Sequence, residues 1–213
     1  MKQTKIFKKN YLSAEEIAVL AKELEKGAIG VFPTDTVYGI GTGALAEKAV
    51  AEIYQIKNRP ASMPLQLLTA GVERSRALGE FSPQALRLAR KFWPGALTLV
   101  VPPADNYKTF ARGFKGLGLR VPQDNFLEML LDYMKMPLAT TSANLHGQPV
   151  WTQENPVVRA FEGKVDFIVL GGTLSPTPSS VVDCCSEKPV LLREGQILRT
   201  ALETTLGENV IKK

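Results

Sequence analysis

Hydrophobic and polar positions near the start of the chain predict a first helix, and sequence signals indicate where it begins and ends. Ser13 and Glu16 have the spacing of a capping box, in which each side chain binds the other residue's backbone N–H group. An apolar stripe at helical spacing follows and consists of Ile17, Leu20, Ala21 and Leu24. Gly27 then ends the helix, because glycine readily adopts the left-handed conformation found there.

Helical patterns recur along the chain and alternate with short apolar runs. Further helices are predicted over 46–57, from Pro83 onward, over 126–134, and from a second capping box formed by Thr200 and Glu203. Strands are predicted over 28–32, 64–70, 96–102, 117–122, 137–142, 165–170, 179–184 and 189–194. The first of these runs is almost wholly apolar, which is typical of a strand buried on both faces.

This alternation of strands and helices predicts an α/β fold with a mixed β-sheet flanked by helices. The last third of the chain is richer in strands than the rest. No repeat, low-complexity tract or linker-like change of composition interrupts the 213 residues. The sequence therefore predicts a single domain over residues 1–213.

Composition narrows the class of protein. Apolar residues make up 45% and charged residues 22% of the chain, which suits a globular protein with a sizeable core. No apolar run approaches the ~20 residues of a membrane-spanning helix, and the N-terminus lacks the apolar core of a signal peptide. We therefore expect a soluble, cytoplasmic protein that is not secreted. The net charge of +5 permits anionic partners, including nucleic acid, without requiring them.

Residues that commonly bind metals or act as nucleophiles are scarce. Cys184 and Cys185 are adjacent, lack the spacing of a zinc site, and are expected to be buried thiols on or near a strand. The single histidine, His146, excludes a multi-histidine metal site and is expected in an exposed loop. Gly39 and Gly41 match a loose dinucleotide-binding fingerprint, but no acidic residue follows at the required distance. We interpret these glycines as a turn that approaches packed backbone.

Small polar residues cluster where two predicted strands end. These residues are Thr34, Asp35 and Thr36 after the strand 28–32, and Thr140, Thr141, Ser142 and Asn144 at the end of the strand 137–142. Ligands of open α/β sheets bind at such strand ends, and small hydroxyl and amide groups can bind phosphate oxygens. The alternative for both segments is a turn in which the hydroxyl groups bind nearby backbone.

Cations lie at one helix end and within two apolar strands. Lys57 and Arg59 close the second predicted helix, just before Pro60, and stabilisation of the helix macrodipole is enough to explain such a pair. Arg120 and Arg193 belong to apolar strands, where a buried cation is costly unless it meets an anion. Together, the four cations and the hydroxyl-rich loops predict a cleft that binds carboxylate and phosphate groups.

Seven motifs occur in the order and approximate spacing of the YrdC-like family, namely FPTDTVYGIG, KNRPxxxPL, FWPGALTLV, LRVP, TSANLHG, SSVVD and LLREG. The chain resembles this family from about residue 27 to 196, and resembles its short, single-domain members in particular. Threonylcarbamoyl-AMP synthases are the best-known members of the family. The resemblance implies a twisted mixed β-sheet with a large concave, basic groove.

The resemblance also implies roles for individual residues. The family's Lys-x-Arg and Ser-x-Asn signatures correspond here to two pairs, Lys57 with Arg59 and Ser142 with Asn144. Both pairs resemble an ATP phosphate clamp in which Lys57 and Arg59 are catalytic, and Arg193 resembles a nucleotide-side arginine. The residues that resemble threonine-binding positions are Thr36, Arg120 and one of the two serines Ser179 and Ser180.

The implied reaction joins L-threonine, bicarbonate and ATP to give threonylcarbamoyl-AMP and pyrophosphate. Arg120 would bind the carboxylate of threonine. Mg²⁺ would arrive with ATP, held by phosphates and water rather than by protein side chains. The product would pass to partner proteins that modify an adenosine of tRNA.

Two alternatives stay open at this point. One is an RNA-binding module for tRNA or double-stranded RNA without synthase activity, and weak tRNA binding is compatible with the enzyme as well. The other is a related carbamoyl-adenylate enzyme with another substrate. Many members of the family have a different residue at the position of Met63, and some have a different residue at the position of Leu68. Both differences bear on the choice of substrate.

Overall fold

The structure, a computed structural model, describes residues 2–212. Its eleven strands are β1 (Lys5–Lys8), β2 (Gly30–Phe32), β3 (Gly39–Gly43), β4 (Gln66–Leu68), β5 (Leu97–Val101), β6 (Leu117–Arg120), β7 (Leu138–Ser142), β8 (Phe167–Leu170), β9 (Ser180–Asp183), β10 (Val190–Arg193) and β11 (Ile211–Lys212). The seven α-helices in the described range are α1 (Ala14–Glu25), α2 (Glu47–Lys57), α3 (Val72–Arg76), α4 (Pro83–Phe92), α5 (Asn125–Tyr133), α6 (Glu154–Phe161) and α7 (Arg199–Leu206). Short 3₁₀ helices cover Lys9–Tyr11 and Asp105–Tyr107. None of the helices within residues 2–212 has the length and apolar character needed to cross a membrane.

The elements belong to two compact units, each with its own portion of β-sheet. The first unit contains the chain up to Leu65 together with Asp124–Pro176. The second contains Gln66–Gln123 together with the chain from Thr177 onward. Each unit therefore combines segments that are far apart in the sequence. The single-domain organisation stays a prediction.

The first unit has the strand order β1-β8-β2-β3-β7. β1, β8 and β2 are parallel, whereas β3 is antiparallel to both β2 and β7. β2 is buried along its whole length, as its apolar sequence predicts. Gly39 pairs with Ser142, so the start of β3 lies beside the polar end of β7. Helices α1 and α2 contact β3, α1 packs on α5, and α6 contacts β8.

The second unit has the strand order β4-β6-β5-β9-β10-β11. The parallel pairs are β4–β6, β5–β9 and β10–β11, and the antiparallel pairs are β5–β6 and β9–β10. Leu68 pairs with Arg120, and Leu97 pairs with Ser180. Helix α4 packs on β5 and on α7. Both units thus mix parallel and antiparallel strands and carry flanking helices, which confirms the predicted α/β class with a mixed sheet.

Local capping signals explain where two helices begin. Ser13 accepts a hydrogen bond from the N–H of Glu16 at 3.2 Å, and the Glu16 carboxylate accepts one from the N–H of Ser13 at 2.8 Å, so the first capping box is confirmed. Gly27 follows the helix with φ of +98°. Ser82 caps α4 by accepting a hydrogen bond from the N–H of Ala85 at 3.2 Å.

The prediction of a second capping box at Thr200 and Glu203 is wrong. Helix α7 begins at Arg199, and Leu198 occupies the N-cap position without a side-chain hydrogen bond. The Glu203 carboxylate instead accepts hydrogen bonds from Arg199 Nε at 2.8 Å and from the backbone N–H of Val210 at 3.1 Å. The Glu203 carboxylate is therefore used by an i,i+4 arginine and by backbone beyond the helix, and not by the N-cap residue.

The glycines of GIGTGA form a strand rather than the expected turn. Gly39 and Gly41 lie in β3 and are buried. A Cβ at Gly41 would lie 2.7 Å from the carbonyl oxygen of Ala139 on β7, and one at Gly39 would lie 3.1 Å from the Phe32 ring. The glycines are required because neighbouring backbone and an aromatic ring approach β3 closely. The sequence pattern also does not predict β1, α3, α6 or β11.

The two cysteines are free thiols. Cys184 is buried, as predicted, and Cys185 is half-buried. Burial raises the pKa of each thiol to about 12. Both thiols are therefore protonated at neutral pH, and neither is an activated nucleophile.

Replacing Gly41 should destabilise the protein because the new methyl group meets rigid backbone. We expect Gly41→Ala to lower the free energy of unfolding by about 1–3 kcal/mol. Gly118→Ala is the matched control, since a Cβ there meets neighbouring atoms at no less than 3.4 Å. Urea unfolding measures both variants, and equal stabilities would contradict the close approach of β7 to Gly41.

Candidate functional site

Helix α2 ends in a left-handed turn. Asn58 has φ of +50°, and its N–H donates to the carbonyl oxygen of Gln55 at 3.1 Å. The N–H of Arg59 donates to the carbonyl oxygen of Tyr54 at 2.9 Å. These two hydrogen bonds form a Schellman motif, which satisfies carbonyl groups left open at a helix end. The helix therefore stops at Asn58, before Pro60 is reached.

The side chain of Lys57 is buried, with only 1% of the residue exposed. Its ammonium group donates hydrogen bonds to the backbone carbonyl oxygens of Ser142 and Asn144, the latter at 2.5 Å, and contacts Asn144 Oδ1 at 3.4 Å. The backbone carbonyl oxygen of Lys57 accepts a hydrogen bond from the N–H of His146 at 2.9 Å. Lys57 therefore holds the first residues of the loop that follows β7, through its side chain and through its backbone.

The charge of Lys57 lacks a carboxylate partner among the residues that the structure describes, because its bonded partners are all uncharged oxygens. Burial, together with the neighbouring charge of Arg59, lowers the pKa of Lys57 from 10.5 to about 7. Buried cations in proteins are usually paired, because desolvation of an unpaired charge is costly. A ligand with negative charge near Lys57 would offset that cost.

Arg59 is half-buried and binds the loop that follows it. Its Nε donates to the carbonyl oxygen of Met63 at 3.1 Å, and its Nη2 donates to that of Pro64 at 2.9 Å. The Tyr54 hydroxyl also donates to the Met63 carbonyl oxygen, at 3.0 Å. A guanidinium group carries five N–H donors, so these two bonds leave donors with which Arg59 can bind an anion.

Ser142 and Asn144 are bound to each other. The Ser142 hydroxyl donates to Asn144 Oδ1 at 2.6 Å, and the Asn144 amide donates to the carbonyl oxygens of Gln148 at 2.6 Å and Leu145 at 3.2 Å. The loop is therefore already ordered by its own side chains and by Lys57. His146 lies exposed in this loop, as predicted.

In the first hydroxyl-rich segment, Thr34 has a structural role, whereas Thr36 is a candidate for substrate binding. The Thr34 hydroxyl donates to the carbonyl oxygen of Val37 at 2.7 Å and accepts hydrogen bonds from the N–H groups of Thr36 and Val37 at 3.0 and 3.2 Å. Thr34 therefore forms the turn that was the alternative for this segment. The Thr36 hydroxyl lies 2.9 Å from that of Thr34 and is held in place by it.

Arg120 ends β6 in the second unit and is only 2% exposed. Its Nε donates to the carbonyl oxygen of Gly95 at 2.9 Å, and its own carbonyl oxygen accepts a hydrogen bond from the N–H of Thr69 at 3.0 Å. The guanidinium group is thus held by the backbone of Gly95, whereas Thr69 holds the backbone of Arg120. A fixed, buried guanidinium group suits bidentate binding of a carboxylate.

Ser179 and Ser180 have different surroundings. The Ser180 hydroxyl donates to the carbonyl oxygen of Ile197 at 2.6 Å and accepts hydrogen bonds from the N–H groups of Gly195 at 2.8 Å and Ile197 at 3.1 Å. Its proton and both lone pairs are occupied. The Ser179 hydroxyl instead lies 3.0 Å from that of Thr98. Ser179 is therefore the serine of the pair with capacity to bind a ligand.

Arg193 is exposed and contacts Ser179 twice. Its Nε donates to the Ser179 carbonyl oxygen at 3.0 Å, and its Nη2 donates to the Ser179 hydroxyl at 3.2 Å. Thr98 and Gln66 join the same network, although the motifs did not single them out. The signal for Thr98 is its hydroxyl group within the apolar run 96–102.

The predicted site residues form two groups, one in each unit. Lys57, Ser142 and Asn144 are in contact in the first unit, and Ser179 and Arg193 are in contact in the second. Within residues 2–212, no group of three or more His, Cys, Asp or Glu residues could hold a metal ion. The cations, hydroxyl groups and amides of the two groups of site residues can bind anions and neutralise their charge.

The titration of Lys57 should make stability depend on pH. The pKa of Lys57 is lower in the folded protein, about 7, than the unfolded value of 10.5, so the unfolded chain binds more protons between these values. Below pH 7 the buried charge of Lys57 lowers the free energy of unfolding by its full amount. This destabilisation is removed as the pH rises towards 10.5. The wild-type protein should therefore gain stability relative to Lys57→Met from pH 7 to about pH 10.

Chemical denaturation across this pH range measures the difference between the two proteins. Lys48→Met removes an exposed lysine of the same helix and serves as the matched control for the lost charge. A constant difference between wild type and Lys57→Met would show that the folded protein does not disfavour the charged form of Lys57.

Comparisons with known proteins identify the family of this chain. The family model Sua5_yciO_yrdC, described as "Telomere recombination", matches residues 22–195. The chain is 36% identical over 196 residues to a threonylcarbamoyl-AMP synthase of Pyrococcus abyssi, covering 91% of this chain and 58% of that protein. It is 35% identical over 196 residues to the threonylcarbamoyl-AMP synthase of Bacillus subtilis, covering 90% of this chain and 57% of that protein.

A solved structure is similar over nearly the whole chain. The crystal structure of P. abyssi Sua5 complexed with L-threonine superposes with a TM-score of 0.89 at 33% identity, covering 98% of this chain and 62% of that one. The chain thus spans less than two thirds of the length of each of these three proteins. The matched family model nevertheless covers most of the present sequence. This chain therefore belongs to the Sua5, YciO and YrdC family.

Proposed function

We propose that this chain is a threonylcarbamoyl-AMP synthase, which joins L-threonine, bicarbonate and ATP and releases pyrophosphate. The two curated relatives described above carry that name, and the solved relative was crystallised with L-threonine. The structural observation that carries the proposal is the buried ammonium group of Lys57, which has no carboxylate partner among the described residues. Such a group favours a polyphosphate ligand over an uncharged one.

The two groups of site residues suit the two kinds of substrate. In the first unit, the charge of Lys57, the remaining donors of Arg59 and the ordered loop after β7 suit the phosphates of ATP. In the second unit, the buried guanidinium group of Arg120 suits the carboxylate of an amino acid, and Ser179 suits its polar groups. Ser180 takes no part in this proposal, because the backbone of residues 195–197 already occupies its hydroxyl group. The concave, basic groove stays a prediction.

The proposed reaction needs little acid–base chemistry from the protein. The amine of L-threonine attacks bicarbonate and gives a carbamate and water. A carbamate oxygen then attacks the α-phosphorus of ATP, and the bond from this phosphorus to the bridging oxygen of pyrophosphate breaks. Negative charge develops on the α-phosphate and on the leaving pyrophosphate, so Lys57 and Arg59 would act by orienting the phosphates and neutralising that charge.

We expect Mg²⁺ to bind together with ATP. The ion would be held mainly by phosphate oxygens and water rather than by protein side chains. When bound, the ion would supply further neutralisation of phosphate charge. We also propose that the product passes, in the cytoplasm, to partner proteins that modify tRNA, because an acyl adenylate of this kind is an activated donor.

The substrates can be tested directly by following pyrophosphate. Release from ATP should require both L-threonine and bicarbonate, because the attacking carbamate contains both. Omission of either compound is the internal control. Equal release without L-threonine would indicate another amine substrate, and absence of release together with tight, salt-resistant tRNA binding would favour the RNA-binding module.

Replacing Arg59 should weaken the binding of ATP. A hydrogen bond to a charged group contributes about 1.5–3 kcal/mol, so we expect Arg59→Ala to raise the Kd for ATP about ten- to a hundredfold. The variant also loses two bonds to the loop at Met63 and Pro64, so the backbone of this loop should become more mobile.

Isothermal titration and hydrogen exchange separate these two effects of Arg59. Lys48→Ala, at an exposed position of the preceding helix α2, is the matched control for the lost positive charge. A mobile loop with unchanged ATP affinity would mean that Arg59 serves only the backbone of the loop.

A further inference from the structure

Four side chains of the second unit form a continuous chain of hydrogen bonds. Arg193 Nη2 donates to the Ser179 hydroxyl at 3.2 Å, and the hydroxyl groups of Ser179 and Thr98 lie 3.0 Å apart. The Thr98 hydroxyl donates to Gln66 Oε1 at 2.9 Å. Ser179 is 2% exposed and Thr98 is 3% exposed, so solvent has little access to the two central groups. Neither Gln66 nor Thr98 belongs to the site residues that the motifs indicate.

The number of protons fixes the direction of this chain. A hydroxyl group has one proton and two lone pairs. Because Thr98 donates its proton to Gln66, it must accept the hydrogen bond that it shares with Ser179. Ser179 therefore donates its only proton to Thr98 and uses one lone pair for Arg193. The Ser179 hydroxyl group therefore has one lone pair left to accept a hydrogen bond and no proton left to donate.

We infer that Gln66 and Thr98 are positioning residues that make Ser179 a hydrogen-bond acceptor, so that the substrate group meeting Ser179 must be an N–H or O–H donor. The substrate part of this inference rests on the proposed function, in which Ser179 contacts the amino acid. L-threonine carries two donor groups, an amine and a hydroxyl group, whereas its carboxylate can only accept hydrogen bonds. A substrate with only an acceptor at this place would leave two buried lone pairs facing each other, which is unfavourable.

The chain can be tested without any ligand by a double-mutant cycle in unfolding. Gln66→Met removes the acceptor at one end, and Ser179→Ala removes the hydroxyl group at the other side of Thr98. If Thr98 relays the effect, the two changes together should differ from the sum of the single changes by about fivefold in the unfolding equilibrium constant. The difference should vanish in a Thr98→Val background. Additive effects in the wild-type background would show that Thr98 does not connect Gln66 with Ser179.

The direction of the chain can be tested by the binding of L-threonine. Gln66→Met and Thr98→Val should each raise the Kd about tenfold, the size expected for one hydrogen bond. Gln66→Glu keeps an acceptor and cannot donate when ionised, so it should restore affinity to within about threefold of wild type, as should Thr98→Ser. Thr204→Val, which removes an exposed hydroxyl group of α7, is the control for the chemical change. A loss with Gln66→Glu as large as with Gln66→Met would mean that Gln66 donates to Thr98, and the inference would be wrong.

Ligand analogues give a readout that a purely structural role would not change. L-2-aminobutyrate lacks the hydroxyl group of threonine, and 3-hydroxybutyrate lacks its amine. The wild-type preference for L-threonine over one of these two analogues should shrink in Gln66→Met and Thr98→Val, because Ser179 can then turn its own proton towards the ligand. Unchanged preferences against both analogues would overturn the inference. Failure of the wild-type protein to bind L-threonine would overturn the proposed function and the substrate part of the inference. The double-mutant cycle in unfolding tests the hydrogen bonds among Gln66, Thr98 and Ser179 independently of any substrate.

Discussion

The buried ammonium group of Lys57 is the constraint on which the first unit's candidate site depends. Helix α2 stops in a left-handed turn at Asn58, and the last side chain of the helix is directed inward. The charge meets carbonyl and amide oxygens of the loop after β7, so the loop takes its shape from the cation. No carboxylate neutralises this charge among the described residues, and the remaining electrostatic cost favours an anionic ligand.

Hydroxyl groups in both units illustrate how binding and structural roles occur side by side. Thr34 and Ser180 use their hydroxyl groups on nearby backbone, whereas their neighbours Thr36 and Ser179 are held by other side chains. The hydroxyl groups of Thr34 and Ser180 stabilise the backbone next to Thr36 and Ser179, the two candidates for substrate binding. A segment rich in serine and threonine therefore does not have to be either a turn or a site, because adjacent residues can perform one role each.

Much of the fold follows from short-range patterns. The capping box at Ser13, the serine cap of α4 and the apolar runs of β2 and β5 depend on residues a few positions apart, so the sequence predicts these elements well. Family motifs add the candidate residues Lys57, Arg59 and Arg120. Prediction misses β1, α3, α6 and β11 altogether, and it is wrong at β3 and at the second capping box. In both places the deciding contact comes from a distant or later part of the chain, such as the Ala139 carbonyl against Gly41 or Val210 against Glu203.

The sequence by itself determined the α/β class and most element positions, and it predicts anionic ligands, because periodicity, caps and charge are local properties. Only the tertiary structure decided that Lys57 is buried without a carboxylate, that Ser179 rather than Ser180 has free capacity, and that Thr98 links Ser179 to Gln66. These facts depend on contacts between segments separated by tens of residues. Burial, desolvation and the direction of a hydrogen-bond chain exist only once those segments are packed together.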